Sequence, residues 1–186
     1  SVADAFAAGE IDGSRVGEPW NSVAVANGDA VILATTSQIW SRGVEKLLAF
    51  RTPVLNERRS EVEALLRTLH AAGKVAADPA QRDAVVQLLA RPEYIGQSAD
   101  IIGRALAGTL IPAKGEEPVT VPDFLVFHRE AANFPWRSQA MWLYSQMARW
   151  GHAEADEEGF AASAAVFRPD IYRSAFAGTD AVLPGA

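Results

Sequence analysis

The sequence predicts an α/β chain with its few strands at the start and mostly helix afterwards. Three observations carry this. An apolar, β-branched run, Val31-Ile32-Leu33-Ala34-Thr35-Thr36, lies between turn residues in the opening third. After Asn56 the apolar spacing becomes helical, with Val62, Leu65, Leu66, Leu69 and Val75 along one stripe. Beyond it, prolines and glycines punctuate capped helices rather than alternating strands and turns. A length of 186 residues suits one large domain or part of a two-lobed protein.

Taken in order, Val2 to Ala8 reads as the end of a helix stopped by Gly9, an abrupt opening that suggests a longer parent chain. Ile11 to Gly17 is a strand candidate. Pro19 fits a first helical position, in a helix running to Asn27 and ended by Gly28. Residues 29–36 read as a buried strand, residues 37–40 as a short helix, and residues 46–51 as a strand ended near Pro53. A helix spans Ser60 to Ala76. Asp78-Pro79-Ala80-Gln81 is a helix start with an Asp cap and Pro at the first position; its buried face is Val85, Val86, Leu88 and Leu89, and it stops before Pro92. Ser98 is expected to cap a helix closed by Gly108. Residues 109–135 read as loop-rich, broken at Pro112, Gly115, Pro118, Pro122 and Pro135. Ser138 is expected to cap a helix to Trp150, followed by helices over 157–166 and 169–176. The tail from Gly178 is expected to fray.

Composition narrows the function. Seventeen Lys+Arg against 23 Asp+Glu give a formal charge of −6, which argues against a broad nucleic-acid surface. It leaves room for a small anion, because local donors outweigh a distant field. With no cysteine, a thiol nucleophile and thiolate metal sites are excluded. No apolar run is long enough to span a bilayer, and the first residues do not form a leader pattern.

No enzyme constellation emerges. His70, His128 and His152 are too far apart for a local metal motif and read as surface or capping histidines. There is no GxSxG, P-loop or GxGxxG, and Glu116-Glu117 and Glu157-Glu158 read as solvated charges. The expectation is a non-enzyme without metal or cofactor. The chemistry lies earlier. A strand running into Gly17-Glu18-Pro19-Trp20 sets unpaired N–H groups beside a helix N-terminus, which favours an anion. Gly17 lets a ligand approach the backbone. Lys46 brings a positive charge from a later strand. Glu18 is an awkward neighbour for an anion and must point away or serve a structural bond. The plainer alternative is a turn at Gly17 and a surface lysine at 46. Trp142 and Trp150 read as packing residues of a core or lobe interface.

Three blocks shift that balance. Val16-Gly17-Glu18-Pro19-Trp20-Asn21 resembles the VGEPWN segment of nitrate-binding proteins of ABC transporters, a family that includes bicarbonate-binding members and nitrate/nitrite sensors. Phe134-Pro135-Trp136-Arg137-Ser138, followed by Gln146-Met147-Ala148-Arg149-Trp150-Gly151, resembles its YPWKS…QMRRWG block. Phe167-Arg168-Pro169-Asp170-Ile171-Tyr172 resembles its RPDIY block. With Ile39-Trp40 and Glu45-Lys46, the blocks run in order across nearly the whole chain.

The resemblance implies the C-terminal part of a two-lobed, periplasmic-binding-protein-like (type II) fold that closes by hinge motion. Residues 1–56 would belong to the second α/β lobe. Residues 57–186 would pack on that lobe, the hinge and the first lobe, which the sequence lacks. The family's ligand glycine falls on Gly17 and its ligand lysine on Lys46, with Glu18 and Trp20 as pocket neighbours. The implied function is binding of a small oxyanion, nitrate or nitrite foremost, for handover to an ABC permease, by a periplasmic protein or membrane-associated lipoprotein. The alternatives are a cytoplasmic nitrate/nitrite sensor controlling an RNA-binding antiterminator, or the same fold binding bicarbonate or another small organic anion. The sequence departs from the family at Ser14-Arg15, where Arg15 is expected to face solvent, and in the loop from Pro112 to Pro122. Apolar surfaces left open are expected to promote a homo-oligomer.

Overall fold

The computed structural model describes residues 2–185. In chain order the helices are α1 (Val2–Ala7), α2 (Trp20–Asn27), α3 (Thr36–Ile39), α4 (Thr52–Glu57), α5 (Arg59–Ala77), α6 (Arg82–Leu89), α7 (Ala99–Ala107), α8 (Arg137–Arg149), α9 (Glu157–Val166) and α10 (Pro169–Phe176). Strands β1 (Thr109–Leu110) and β2 (Val119–Thr120) lie between α7 and α8. The chain divides into two units with interleaved segments: residues up to Gly43 with Lys74–Val126, and Val44–Gly73 with residues from Phe127 on.

In the first unit, α1 packs on α2, and Ala3, Ala24 and Val25 are buried there. Gly28 ends α2 at φ 93°, donating its N–H to the carbonyls of Ala24 and Val25. Pro19 sits at the N-cap of α2, one place earlier than expected. At the start of α3, the Thr35 N–H donates to Gln38 Oε1 at 2.7 Å. Asp78 accepts the Ala80 N–H as the cap residue predicts, but one 3-10 turn over Pro79–Gln81 precedes α6. Val86 of α6 and Ile101, Ile102 and Ala105 of α7 form the apolar contact between those helices. Gly108, at φ 69°, turns the chain from α7 into a small antiparallel hairpin that pairs Thr109 with Thr120 and Leu110 with Val119. The segment expected to be loop-rich carries two short strands.

The three strands expected in the opening third form no ladder. Residues 11–17, 30–35 and 43–51 form no strand among the described residues, and Asp12 lies in a bend. Within 30–34 a single backbone bond is made, from Ile32 N–H to Pro112 O at 2.8 Å, and residues 43–50 make none. The physical reason is that a strand is completed only by a neighbour. Apolar, β-branched residues favour the extended state without supplying its hydrogen bonds. Burial fails with pairing, and Leu33 is 92% exposed. Pro53 opens α4 instead of only ending a strand, since a first helical turn has no use for its missing N–H.

The second unit is organised around α10. Phe134, Tyr172, Ala175 and Phe176 form a buried cluster with Ala131, against which Leu66 of α5 packs. The rings meet edge to face, Phe134 on Trp136 at 4.9 Å and on Tyr172 at 5.5 Å. Arg67 ties α5 to α10 by donating to Ala175 O at 3.0 Å. Helix α9 packs on α8 through Tyr144 and Phe160, and Asp156 caps α9 by accepting the Gly159 N–H at 2.7 Å.

Further expectations differ from the structure. Ser98 stands at the N-cap of α7 without a side-chain bond, and α8 begins before Ser138, with Trp136 at its N-cap. Trp142 and Trp150 are exposed, Trp150 at 70%, so of their two expected roles the structure excludes only a core position. His70 is half-buried, its ring edge-on to Phe176 at 5.1 Å and 6.0 Å from that of His128, because the α5 face carrying it turns toward the α10 cluster. The tail is tied back where fraying was expected: Arg173 donates to Pro184 O at 2.5 Å and Gly185 O at 2.9 Å.

Candidate anion-binding site

The approach to α2 is held locally. The Asn21 side-chain amide donates to Val16 O at 2.7 Å and the Trp20 N–H to Gly17 O at 3.3 Å. Pro19 and Ser22 are buried, and Trp20 is half-buried. The Glu18–Pro19 peptide is cis. Gly17 lies just before the positive end of an eight-residue helix, and its N–H has no acceptor among the described residues. Glu18 performs the structural bond that the sequence left open to it: its carboxylate accepts the Ser22 N–H at 3.4 Å. One carboxylate therefore already leans on the helix end that would attract an anion. Arg15 is exposed, as expected.

Lys46 lies in the unpaired segment after Gly43. Its side chain is 81% exposed, and its Nζ lies 3.3 Å from Glu45 Oε1. Gly17, Glu18 and Trp20 come together in the first unit, whereas Lys46 belongs to the second. An exposed ammonium with an exposed carboxylate neighbour is a weak pair that an incoming anion can displace.

Two further features of the first unit were not legible in the sequence. A cavity of about 130 Å³ behind α2 is lined by Ser22, Val25, Arg104 and Lys114 among others. A cleft of about 280 Å³ lies beside the ion pair Arg42–Asp123 (3.0 Å), both of whose residues have positive φ, 63° and 53°. Among the described residues no group of three or more His, Cys, Asp or Glu is placed to hold a metal ion, and no helix is long and apolar enough to cross a membrane.

The RPDIY block has a structural role in the second unit. Arg168 donates through Nε and one terminal nitrogen to both oxygens of Asp170, at 2.8 and 2.7 Å. This fork, foremost, holds the Asp170 carboxyl down to about 2, helped by backbone N–H groups at the start of α10.

The model of the NMT1-like family matches residues 1–90. The chain is 35% identical to the nitrate import ATP-binding protein of Synechococcus elongatus over 95% of its length, covering 26% of that protein. It is 29% identical to the nitrate/nitrite binding protein of the same organism, over 90% of its length and 38% of that protein. In three dimensions it matches the periplasmic nitrate-binding protein of Synechocystis PCC 6803 with a TM-score of 0.92 at 21% identity, over 99% of this chain and 49% of that one. The fold is therefore part of a two-lobed, periplasmic-binding-protein-like α/β fold. Over the part it spans, the chain is similar to proteins of nitrate binding and nitrate import. It spans about half of the solved relative and less of the curated ones.

Proposed function

We propose that the chain is part of a solute-binding protein of an ABC-type importer that captures a small oxyanion, nitrate or nitrite foremost, outside the inner membrane. Gly17 offers its backbone N–H and Lys46 its ammonium, with Glu18 and Trp20 as neighbours. In the complete protein, residues 1–56 contribute to one lobe and the helical remainder packs across the hinge. The observation that carries this reading is the Gly17 N–H, left without a protein acceptor at the positive end of α2 in a chain related to nitrate-binding proteins. Binding between lobes also fits the segment around Lys46, whose backbone groups await a neighbour. A planar anion with spread charge suits one ammonium plus N–H donors.

The test is calorimetric titration of Lys46→Ala beside the unaltered protein with nitrate, nitrite and bicarbonate. Loss of binding with an unchanged circular dichroism spectrum is expected. Retained nitrate affinity in Lys46→Ala contradicts the assignment.

One observation favours a second reading. The chain is more similar to the nitrate import ATP-binding protein (35%) than to the nitrate/nitrite binding protein (29%) of one organism. Because it carries no P-loop, its likeness to the former lies outside any such nucleotide-binding motif. In this reading the same anion site serves as a sensing domain joined to the transporter's ATP-binding subunit. Fusion to, or stable association with, such a subunit is the discriminating observation.

A further inference from the structure

Lys114 is used by no part of the account above. It stands near the tip of the β1–β2 hairpin, in the loop where the sequence departs from the family. Its Nζ donates to Asn27 O at 3.1 Å, and Asn27 is the last residue of α2. The lysine stem lies across Gly28, where an added Cβ would come within 3.1 Å of the lysine Cδ. A cation at this end satisfies a carbonyl left over by the helix and complements its dipole. A second tie fixes the same hairpin just beyond α2, from Ile32 N–H to Pro112 O at 2.8 Å.

The cavity makes these ties matter. About 130 Å³ of space lies between Ser22, Val25 and Ala26 of α2, Arg104 of α7, and Ile111 and Lys114 of the hairpin. A helix backed by a void is not held by close packing on that side. With packing on α1 along another side, the contacts at its ends help to set its position. At about 1.5 Å per residue, α2 is roughly 12 Å long, and its far end presents Gly17 and Glu18.

We propose that Lys114 is a positioning residue for the anion site: by clamping the C-terminal end of α2 it fixes where the N-terminal end presents the Gly17 N–H. This rests on the anion-binding reading above, and the test separates the two. Lys114→Ala and Lys114→Arg are compared with the unaltered protein by amide nuclear magnetic resonance, first without ligand and then with nitrate. Without nitrate, Lys114→Ala is expected to shift the amide signals of Gly17 and Trp20, at an unchanged melting temperature. Lys114→Arg is expected to return them, because a guanidinium also reaches a helix-end carbonyl. With nitrate, Lys114→Ala is expected to bind about fivefold more weakly. Unmoved Gly17 and Trp20 signals in Lys114→Ala overturn the proposal, as does a nitrate affinity equal to that of the unaltered protein. Should no variant respond to nitrate while the ligand-free shifts appear, the clamp stands and the anion reading falls.

Discussion

Glu18 and Asp170 are carboxylates with opposite consequences. Glu18 leans on the N-terminus of α2 through Ser22 N–H and competes for the donors an anion would use. Glu18→Gln keeps a hydrogen-bond acceptor and removes the charge, so nitrate affinity is expected to rise about two- to fivefold by calorimetry. A fall in affinity would show that the carboxylate helps the site. Asp170 is depressed to about 2 by the Arg168 fork. A depressed carboxyl contributes stability above its unfolded value, near 3.9, and loses that contribution as pH falls toward 2. Its side chain is 49% exposed, so solvent discounts the pair. Asp170→Asn is expected to cost about 0.5–1 kcal/mol at neutral pH and nothing below about pH 2, read from urea melts at both values. At this scale the sequence is legible where a residue acts on near neighbours. Gly17 and Glu18 are readable because helix-start chemistry lies within five residues. Lys114 is not, because its partner is 87 positions away.

Elements show the same division. Helices α9 and α10 match their expected bounds because caps, Pro169 and the apolar period are all local signals. The strands fail because pairing is non-local, and residues 30–35 and 43–50 have the composition of strands without a ladder. The hairpin that does form, β1 with β2, lay in a segment whose prolines read as loop. Contact between α8 and α9 depends on a glycine that spacing alone did not single out. A Cβ at Gly159 would overlap the Tyr144 hydroxyl, which donates to Glu154 O at 2.6 Å. Gly159→Ala is therefore expected to displace Tyr144 and destabilise the second unit by about 1–3 kcal/mol in chemical melts. An unchanged midpoint would mean that the ring moves aside without loss.

For the molecule as a whole, the dominant physical feature is apolar surface on unpaired backbone. Leu33, Leu47, Leu48 and Trp150 are all exposed, and residues 43–50 make no backbone hydrogen bond among the described residues. Light scattering is expected to show association that grows with concentration, and Leu47→Ser with Leu48→Ser is expected to reduce it. A monomer at every concentration contradicts this. The likeness to nitrate-binding proteins was readable from ordered blocks spread over the chain, whereas the two-unit division was not, because its segments interleave. The central claim is that Gly17 and Lys46 share one oxyanion. Amide-resolved titration with nitrate against chloride, on the unaltered protein and on Lys46→Ala, tests it most directly, because site-resolved signals detect even millimolar binding. Saturable nitrate shifts at Gly17 and Lys46, absent with chloride, with the Gly17 shift lost in Lys46→Ala, are what the account predicts. Shifts identical for the two anions, or a Gly17 response that survives Lys46→Ala, would contradict it.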